Sequence, residues 1–292
     1  MRYILSFLLS FFITTLTFSQ DKTFRIGFLL DKNSVEINEL LKELSDEISA
    51  IVGEDAVLEF PEVSKLVNNF DSSTALNNYN VLVENNTDII IAFGVVNNAV
   101  ISKIGTYQKP TIVFGALSEE LLTDESLVSN ITNYTSIVTS QSYTEDIKLL
   151  QKLASPKTIG VVVEKAFMDN LPIASTFNDI SKDLNIEIKL IPFDSLSDIT
   201  SNLDNIDAVY LAGGFYLSDS EMQELANVFI EKRLPSFTSN PVKDVINGIL
   251  ATSHDKSELN QFFRRIALTV ESILNGNALA TLSTKLEAKG TL

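Results

Sequence analysis

The segment Thr87–Gly115 reads TDIIIAFGVVNNAVISKIGTYQKPTIVFG and contains a strand, a helix and a second strand. Asp88–Phe93 is a short apolar run, typical of a strand that is buried on both faces of a parallel sheet. Val95–Ile104 places its apolar residues on one helical face, and Thr111–Phe114 is a second apolar run. A glycine ends each strand. This βαβ unit predicts an open α/β sheet, in which loops and helix N-termini at the carboxyl ends of the strands bind ligands.

The same alternation of strand and helix continues on the other side of a polar segment at Asn130–Gln141. This order predicts an α/β fold with two Rossmann-like, doubly wound lobes and a central ligand cleft. Residues 22–137 are expected to form lobe 1 and residues 138–251 lobe 2, while part of residues 252–292 completes lobe 1. We expect hinges near Tyr134–Gln141 and Asn247–Lys256.

Several local elements are predicted from capping residues and apolar spacing. Ser34 is expected to cap a helix over Val35–Val52, and Lys256–Leu274 is predicted to be a long amphipathic helix. Glu164–Asn170 is expected to be the loop after a strand, and Ile246–Ala251 is expected to be a strand. Ser129–Tyr134 is polar and is expected to be a loop.

The composition excludes several classes of partner and site. The chain of 292 residues carries a net charge of −16, which argues against nucleic acid and against an anionic membrane surface. It has no cysteine. Disulfides, thiolate metal sites, a cysteine nucleophile and a lipoprotein anchor are therefore excluded.

The first twenty residues have the pattern of an export signal. Arg2 supplies a positive start, and an apolar run with interspersed Ser and Thr follows it. Thr17-Phe18-Ser19 places small residues at both positions of a cleavage site, close to the charged Asp21. We therefore predict that residues 1–19 are a signal peptide and that the mature protein is periplasmic or secreted. An uncleaved N-terminal membrane anchor is the alternative.

Residues that could perform catalysis are scarce. His254 is the only histidine, no G-x-S-x-G elbow accompanies it, and its Ser/Asp-rich surroundings predict a surface position. The acids are scattered, and neither G-x-G-x-x-G nor a Walker A sequence is present. We therefore expect no enzyme, no catalytic residue, no metal site and no cofactor.

Six loops at predicted strand ends carry glycines, hydroxyls, amides and aromatics, which is the chemistry of binding. The alternative interpretation is that the glycines simply end strands and that the aromatics belong to the core. Because the loops recur at equivalent ends of two lobes, we favour a ligand cleft. The loops are Asp31–Asn33, Gly94–Asn97, Gly115–Ser118, Glu164–Phe167, Gly213–Tyr216 and Thr238–Asn240.

The chain also resembles a known family. The matching stretches are IIIAFGVVNNAV, KPTIVFGAL, SNITNYTS, SPKTIGVVVE, DAVYLAGG, RLPSFTSNPVKDVINGILAT and ILNGNALATL, and they run in order between Arg25 and Leu286. In these stretches the chain is similar to the substrate-binding proteins of ABC transporters that have the type I periplasmic-binding-protein fold. Within that family it resembles the group of amino-acid binders of the tryptophan-binding sort.

This resemblance implies an exported, monomeric solute-binding protein that captures a small organic molecule for an ABC permease in the inner membrane. An amino-acid-like molecule is one candidate for this ligand. The alternative is a ligand-sensing or accessory envelope protein with the same fold and no transport role. Two departures from the family put the ligand's identity in question: Glu119-Glu120 replaces an Asp-Pro pair, and Gly213-Gly214-Phe215 replaces a Thr-Asp-Asn loop. The family's usual closing segment has no counterpart after Leu292, so on this resemblance we expect the sequence to be a C-terminally incomplete fragment of a longer protein. The candidate ligand-binding residues from the loops and the resemblance are Asp31, Gly94, Val95, Asn97, Gly115, Ala116, Glu164, Phe167, Gly213, Gly214, Phe215 and Asn240.

The helix that follows Gly94 is the expected contact for an acidic group of the ligand. Its first amides, Val95–Asn97, lack partners within the helix, and an anion there gains from the helix dipole. Gly213–Gly214 is expected to face it from the other lobe, with Phe215 or Tyr216 covering an apolar part of the ligand. On this interpretation Gly94→Val or Gly213→Val abolishes ligand-induced stabilisation and leaves the melting temperature of the ligand-free protein nearly unchanged. If both variants unfold, the glycines serve the fold instead.

Overall fold

The computed structural model describes residues 22–54, 56–114, 119–121, 131–137, 142–214, 217–240, 242–254 and 256–279. The predicted signal peptide, the candidates Gly115, Ala116 and Phe215, and part of the predicted first hinge lie outside these ranges. Among the described residues, no helix is both long enough and apolar enough to cross a membrane.

The described residues alternate between strand and helix along most of their length. The strands are β1 (Thr23–Leu30), β2 (Val57–Glu59), β3 (Lys65–Val67), β4 (Ile89–Phe93), β5 (Thr111–Phe114), β6 (Tyr134–Ile137), β7 (Thr158–Glu164), β8 (Glu187–Phe193), β9 (Ala208–Leu211), β10 (Ser236–Thr238) and β11 (Ala251–Thr252). The helices are α1 (Val35–Val52), α2 (Ser72–Glu84), α3 (Val95–Ile101), α4 (Tyr143–Ala154), α5 (Lys165–Asn170), α6 (Ile173–Leu184), α7 (Leu196–Thr200), α8 (Asp219–Glu231), α9 (Lys243–Ile246) and α10 (Lys256–Leu274).

The strands form two parallel sheets. The first has the order β2-β1-β4-β5-β6, with β3 paired to the second half of β1, and the second has the order β11-β10-β9-β7-β8. Strand β1 pairs in parallel with β4, and strand β7 pairs in parallel with β9. In both pairs, helices lie between the two strands along the chain. We call each sheet with its packed helices a lobe, lobe 1 for the first sheet and lobe 2 for the second.

Each sheet is covered on both faces, which explains the unbroken apolar runs of its central strands. In β4, Ile89 and Ile91 pack with α1 and α10 on one face, while Ile90 and Ala92 pack with α2 and α3 on the other. In lobe 2, α4 and α6 cover one face and α7 and α8 cover the other. Helix α10 therefore returns from the end of lobe 2 to pack against α1 in lobe 1.

The structure differs from the predicted elements in three places. Lys165–Asn170, expected to be a loop, forms α5, because the chain turns directly from β7 into a helix. Ile246–Ala251, expected to be a strand, is divided between the end of α9 and the start of β11, with Gly248 at φ +112° between them. Tyr134 begins strand β6 instead of ending a loop, because Thr111–Phe114 offers it a parallel partner.

Candidate functional site

The carboxyl edges of the two sheets face each other and touch. The ring of Phe70, just after β3, meets the ring of Phe167 in α5 edge to face, with centroids 6.3 Å apart. Ser72 Oγ at the start of α2 donates a hydrogen bond of 2.6 Å to Asn170 Oδ1 at the end of α5. Val95, at the start of α3, is buried within the apolar cluster of lobe 2. The lobes are therefore closed on each other along the side formed by α2, α3 and α5.

Asp31 organises the carboxyl edge of lobe 1. It follows β1 directly and is only 1% exposed. Its carboxylate accepts hydrogen bonds from the backbone N–H groups of Val96 (2.8 Å) and Asn97 (3.0 Å). It accepts a further bond of 2.9 Å from Asn68 Nδ2. The chain's own carboxylate thus occupies the start of α3.

Gly94 makes this arrangement sterically possible. Its φ of +119° and ψ of 165° lie in a region that is essentially restricted to glycine. A Cβ at this position would also overlap the carboxylate of Asp31. The expectation that the amides of Val95–Asn97 await an anionic ligand is therefore wrong for Val96 and Asn97, because Asp31 already binds them.

The Asp31 carboxyl has a perturbed pKa. Burial raises this pKa from 3.8 to about 6, against the lowering effect of the hydrogen bonds from Asn68 and from the backbone of α3. At neutral pH the carboxylate is ionised, and its charge is held by amide donors of its own lobe.

A strained turn at Asn68–Phe70 links this network to lobe 2. Asn69 and Phe70 both have positive φ, at 52° and 65°, which is rare for a bulky aromatic residue. The backbone N–H of Phe70 donates to Asn68 Oδ1 (2.6 Å) and to the carbonyl of Asp31 (3.2 Å). Asn68 Nδ2 in turn donates to Asn97 Oδ1 at 3.0 Å. The sequence patterns did not predict this turn, whose only local signal is its richness in asparagine.

The carboxyl edge of lobe 2 repeats the pairing of an acid with a glycine loop. Glu164, the last residue of β7, is 7% exposed, and its Oε1 accepts a hydrogen bond of 2.7 Å from the N–H of Gly214. A Cβ at Gly213 would overlap the carboxylate of Glu164. Gly213 therefore makes room for the Glu164 side chain of its own lobe, and the N–H of Gly214 binds that side chain.

Asn240 lies beside that loop, two residues after β10. Its Nδ2 donates to the carbonyl of Gly213 at 3.2 Å and to Asp244 Oδ2 at 2.8 Å. Asp244 also accepts a bond of 2.8 Å from Thr238 Oγ1. Burial raises the pKa of the Asp244 carboxyl, and these two hydrogen bonds oppose the shift. The Oδ1 of Asn240 is buried and has no hydrogen-bond partner among the described residues.

The described candidates thus fall into three groups. Asp31, Gly94 and Asn97 come together at the edge of lobe 1. Glu164, Gly213, Gly214 and Asn240 come together at the edge of lobe 2. Val95 and Phe167 lie where the two lobes pack against each other.

No protein-family model matches the chain, and a search of curated proteins found no match. Solved structures nevertheless share its architecture. An ABC domain in complex with L-Trp from Streptococcus pneumonia aligns with a TM-score of 0.68 and 15% identity, over 92% of this chain and 90% of the other. The chain has the periplasmic-binding-protein fold. The fold that the resemblance implied is therefore confirmed.

Two further structures with this fold match nearly the whole chain. An ABC transporter solute-binding protein from Agrobacterium vitis, bound with α-D-tagatopyranose, has a TM-score of 0.59 and 13% identity, over 90% of this chain and 92% of its own. A periplasmic binding protein/LacI transcriptional regulator from Alkaliphilus metalliredigens, complexed with D-xylulofuranose, has a TM-score of 0.53 and 12% identity, over 89% and 93%.

The only histidine is buried within this periplasmic-binding-protein fold, so its predicted surface position is wrong. His254 is 7% exposed, and its Nε2 lies 3.4 Å from Asp146 Oδ2 and 3.2 Å from Ser253 Oγ. Tyr210 OH also donates to Asp146, at 2.7 Å. Because serine and aspartate meet the same imidazole nitrogen, the ring cannot relay a proton between them through its two nitrogens. The cluster joins α4 to the segment that leads from β11 into α10.

The described residues contain no group of three or more His, Cys, Asp or Glu side chains that could hold a metal ion. The buried acids at the two edges accept hydrogen bonds within their own lobe. Asp31 and Glu164 accept from backbone N–H groups, and Asp244 accepts from the hydroxyl of Thr238. Polar groups placed in this way at the mouth of two apolar lobes are typical of a small-molecule cleft.

Proposed function

We propose that the protein is an exported solute-binding protein that captures a small organic molecule between its lobes and delivers it to an ABC permease in the inner membrane. The observation that carries this proposal is the direct contact of the two carboxyl edges, Phe70 against Phe167 and Ser72 with Asn170. A ligand that touches both edges stabilises only the closed arrangement, so binding and hinge closure are coupled.

The protein is proposed to act as a binding protein and not as an enzyme. Asp31 and Glu164, the acids nearest to the cleft, accept hydrogen bonds from the backbone amides of their own lobes. Those contacts shape the edges of the cleft. No nucleophile and base are placed together there by the described residues, since the Ser253 and His254 pair lies at the segment between the lobes.

We propose that some of the predicted site residues support the edges of the cleft and that others contact the ligand. Two acids and three glycines support the edges. The carboxylates accept hydrogen bonds from backbone N–H groups of their own lobe, and Gly94 and Gly213 leave room for them. These five residues are Asp31, Gly94, Glu164, Gly213 and Gly214.

Asn97 also supports its edge, because its N–H, Oδ1 and Nδ2 are bound by Asp31, Asn68 and the carbonyl of Phe93. Direct contact with the ligand is assigned to Val95, Phe167 and Asn240, together with the predicted contacts Gly115, Ala116 and Phe215.

Ligand binding and closure are tested together. A thermal-shift screen with amino acids, nucleosides and small sugars should yield compounds that raise the melting temperature by mass action. Small-angle scattering with a saturating concentration of each such compound should show a smaller radius of gyration than the ligand-free protein. Proven binding with an unchanged radius would make the protein a rigid receptor and would contradict closure.

Export and the transport partner need separate tests. N-terminal sequencing of the exported protein should begin at Gln20, whereas a mature protein that keeps residues 3–18 and fractionates with membranes supports the anchor. Analytical ultracentrifugation should show a monomer. A neighbouring pair of permease and ATPase genes favours transport, and a neighbouring efflux or sensor gene favours a ligand-sensing accessory role.

A further inference from the structure

The chain between β5 and β6 reaches from lobe 1 into lobe 2 and back. Both strands belong to the first sheet, where Phe114 at the end of β5 pairs with Ile137 at the end of β6. Between these strands, Glu119–Leu121 forms a single 3₁₀ turn. Glu120 of this turn binds α4, and Leu121 lies in the apolar cluster to which α4 and α6 contribute. The 119–121 turn is therefore seated in the other lobe.

Glu120 supplies hydrogen-bond acceptors to the first turn of α4. Its Oε1 accepts from Ser142 Oγ (2.6 Å) and from the N–H of Thr144 (3.2 Å), and its Oε2 accepts from the N–H of Tyr143 (3.1 Å). The first N–H groups of a helix have no acceptor within the helix, and a carboxylate there gains from the helix dipole. Where the resembling family has Asp-Pro, a proline at position 120 would offer no carboxylate. This contact is therefore a property of this chain and not of the fold as a whole.

Leu121 adds an apolar anchor beside this polar one. It is 6% exposed and belongs to the same buried cluster as Tyr143 of α4 and Phe177 of α6. Removing its side chain from water stabilises the seated turn. Two different contacts, one charged and one apolar, therefore hold the turn on lobe 2.

The first turn of α4 also receives the two crossovers between the lobes. Residues 138–141 lead from β6 directly into Ser142, the N-cap of α4. Asp146, in the same turn, accepts a hydrogen bond from Ser253 Oγ and lies 3.4 Å from His254 Nε2, in the segment that leads from β11 into α10. With Glu120, three connections between the lobes thus meet at one turn of helix. Because loop and helix-terminal residues form hinges, Ser142–Asp146 is the expected position of the hinge axis.

The link from lobe 1 to the 119–121 turn is short. Four residues, 115–118, separate Phe114 from Glu119. A fully extended chain of this length spans at most about 18 Å between the Cα atoms of Phe114 and Glu119, at ~3.6 Å per residue. The return from Leu121 to Tyr134 contains 12 residues and can span more than twice that distance. Any limit on lobe movement therefore acts through the short link.

We propose that the 119–121 turn is a strap: Glu120 and Leu121 anchor a third connection between the lobes, and this connection restricts how widely the lobes open. Two connections leave the lobes free to swing and to twist about each other, and a third that is anchored on the far lobe limits both motions. This inference rests on the proposed function, because it concerns the hinge that solute capture uses. The strap acts on the ligand-free protein, which it keeps near the closed arrangement.

Spin labels on the two lobes measure this restriction directly. The sequence has no cysteine, so Asn80→Cys in α2 and Asn178→Cys in α6, both at exposed positions, attach one label to each lobe. Double electron–electron resonance then gives the distribution of distances between the labels in the ligand-free protein. Glu120→Ala, made in the labelled protein, removes all three hydrogen bonds to α4. The distribution should then broaden and shift to longer distances.

A matched control separates the strap from a loss of helix stability. Glu145→Ala removes an exposed acid from the same turn of α4, where it pairs with Lys148, and it should leave the distribution unchanged. A lower melting temperature of Glu120→Ala with an unchanged distribution would mean that Glu120 only caps α4, and would overturn the proposal. If Glu120→Ala does not fold, Glu120→Gln, which keeps one acceptor, is judged by the same criterion.

The strap and solute capture fail in different ways. If compounds from the thermal-shift screen bind and shorten the distance between the labels, while Glu120→Ala leaves the ligand-free distribution unchanged, solute capture stands and the strap is overturned. If Glu120→Ala widens the distribution but no bound compound shortens the distance, the strap stands and closure on a solute is contradicted.

Discussion

At the residue scale, each carboxyl edge is built on one acid that fits against a glycine. Asp31 lies where a Cβ on Gly94 would be, and Glu164 lies where a Cβ on Gly213 would be. The Asp31 carboxylate accepts a hydrogen bond from the backbone N–H of Val96, two residues after Gly94. The Glu164 carboxylate accepts one from the backbone N–H of Gly214, the residue after Gly213. The glycines therefore serve the fold first, contrary to the expectation that their substitution would leave the ligand-free protein intact.

The first prediction concerns Gly94→Ala. The substitution should destabilise the ligand-free protein by about 1–3 kcal/mol from the backbone conformation alone, with a further loss because Asp31 must move. Gly105→Ala is the matched control, since Gly105 has φ +77° and nothing within 4 Å of its Cβ position. It should cost only about 1–2 kcal/mol. Urea denaturation measures both, and equal stability of the two variants would contradict the clash with Asp31.

The second prediction concerns the titration of Asp31. Its pKa of about 6 in the folded protein lies above the ordinary value of 3.8, so the folded state binds the proton more tightly than the unfolded state. The free energy of unfolding should therefore fall as pH rises from about 4 to about 6, by roughly 3 kcal/mol for this group. Asp31→Asn should remove that contribution from the pH profile.

Urea denaturation between pH 4 and pH 7 tests this by comparing each variant with the unmodified protein. Asn202→Ala, which removes an exposed side chain that does not titrate, is the control and should leave the slope unchanged. The amide introduced by Asp31→Asn has one acceptor fewer at every pH, so the decisive quantity is the change in slope and not the offset. Parallel profiles for the unmodified protein and Asp31→Asn would count against a raised pKa.

At the scale of elements, local patterns were sufficient for the long helices and the central strands. Helix α1 and helix α10 match their predicted bounds, and β5 matches Thr111–Phe114, because apolar spacing and caps such as Ser34 act over a few residues. The short helices α5 and α9 were missed, since a single turn carries too little periodicity to be recognised.

The polar network of the candidate site could not be predicted in the same way. Asp31 meets Asn68 and Val96, which are 37 and 65 residues away along the chain. Such partners are fixed by the sheet order and not by any local motif. The sequence placed Asp31 and Gly94 at strand ends, but it could not show that one fills the space beside the other.

The third prediction concerns the packing of α10 against α1. Ile266 is fully buried in the cluster that joins these helices, so Ile266→Ala should destabilise the protein by about 2–5 kcal/mol. Leu268, on the same helix, is 40% exposed, and Leu268→Ala should cost much less. Hydrogen exchange should show reduced protection of amides in α1 and little change in β7. Equal loss in both places would contradict the proposal that residues after 252 complete lobe 1.

At the scale of the whole molecule, the strained turn at Phe70 connects the two lobes. Its ring touches Phe167 across the cleft, while its backbone is held by Asp31 and Asn68 of its own lobe. This contact should favour closure, because it is made only when the lobes meet.

The fourth prediction is that Phe70→Ala shifts the protein towards an open arrangement. The lost aromatic contact is worth about 0.5–1.5 kcal/mol beyond its buried area, so ligand affinity should fall and the radius of gyration of the ligand-free protein should rise. Phe60→Ala is the control, because Phe60 stacks on Phe28 within lobe 1. Small-angle scattering compares the two variants, and identical radii would show that the Phe70 contact does not hold the lobes together.

The return of α10 to α1 has a consequence for the order in which the protein is made. The apolar face of α1, with Ile37, Leu44 and Ile48, emerges early in synthesis, yet its covering helix Lys256–Leu274 is the last described helix to be made. The strands and helices of lobe 2 are synthesised in the interval between them. Lobe 2 can therefore be complete while lobe 1, although started first, still exposes one side of its core to water. Helix α1 therefore stays partly uncovered until helix α10 has been made.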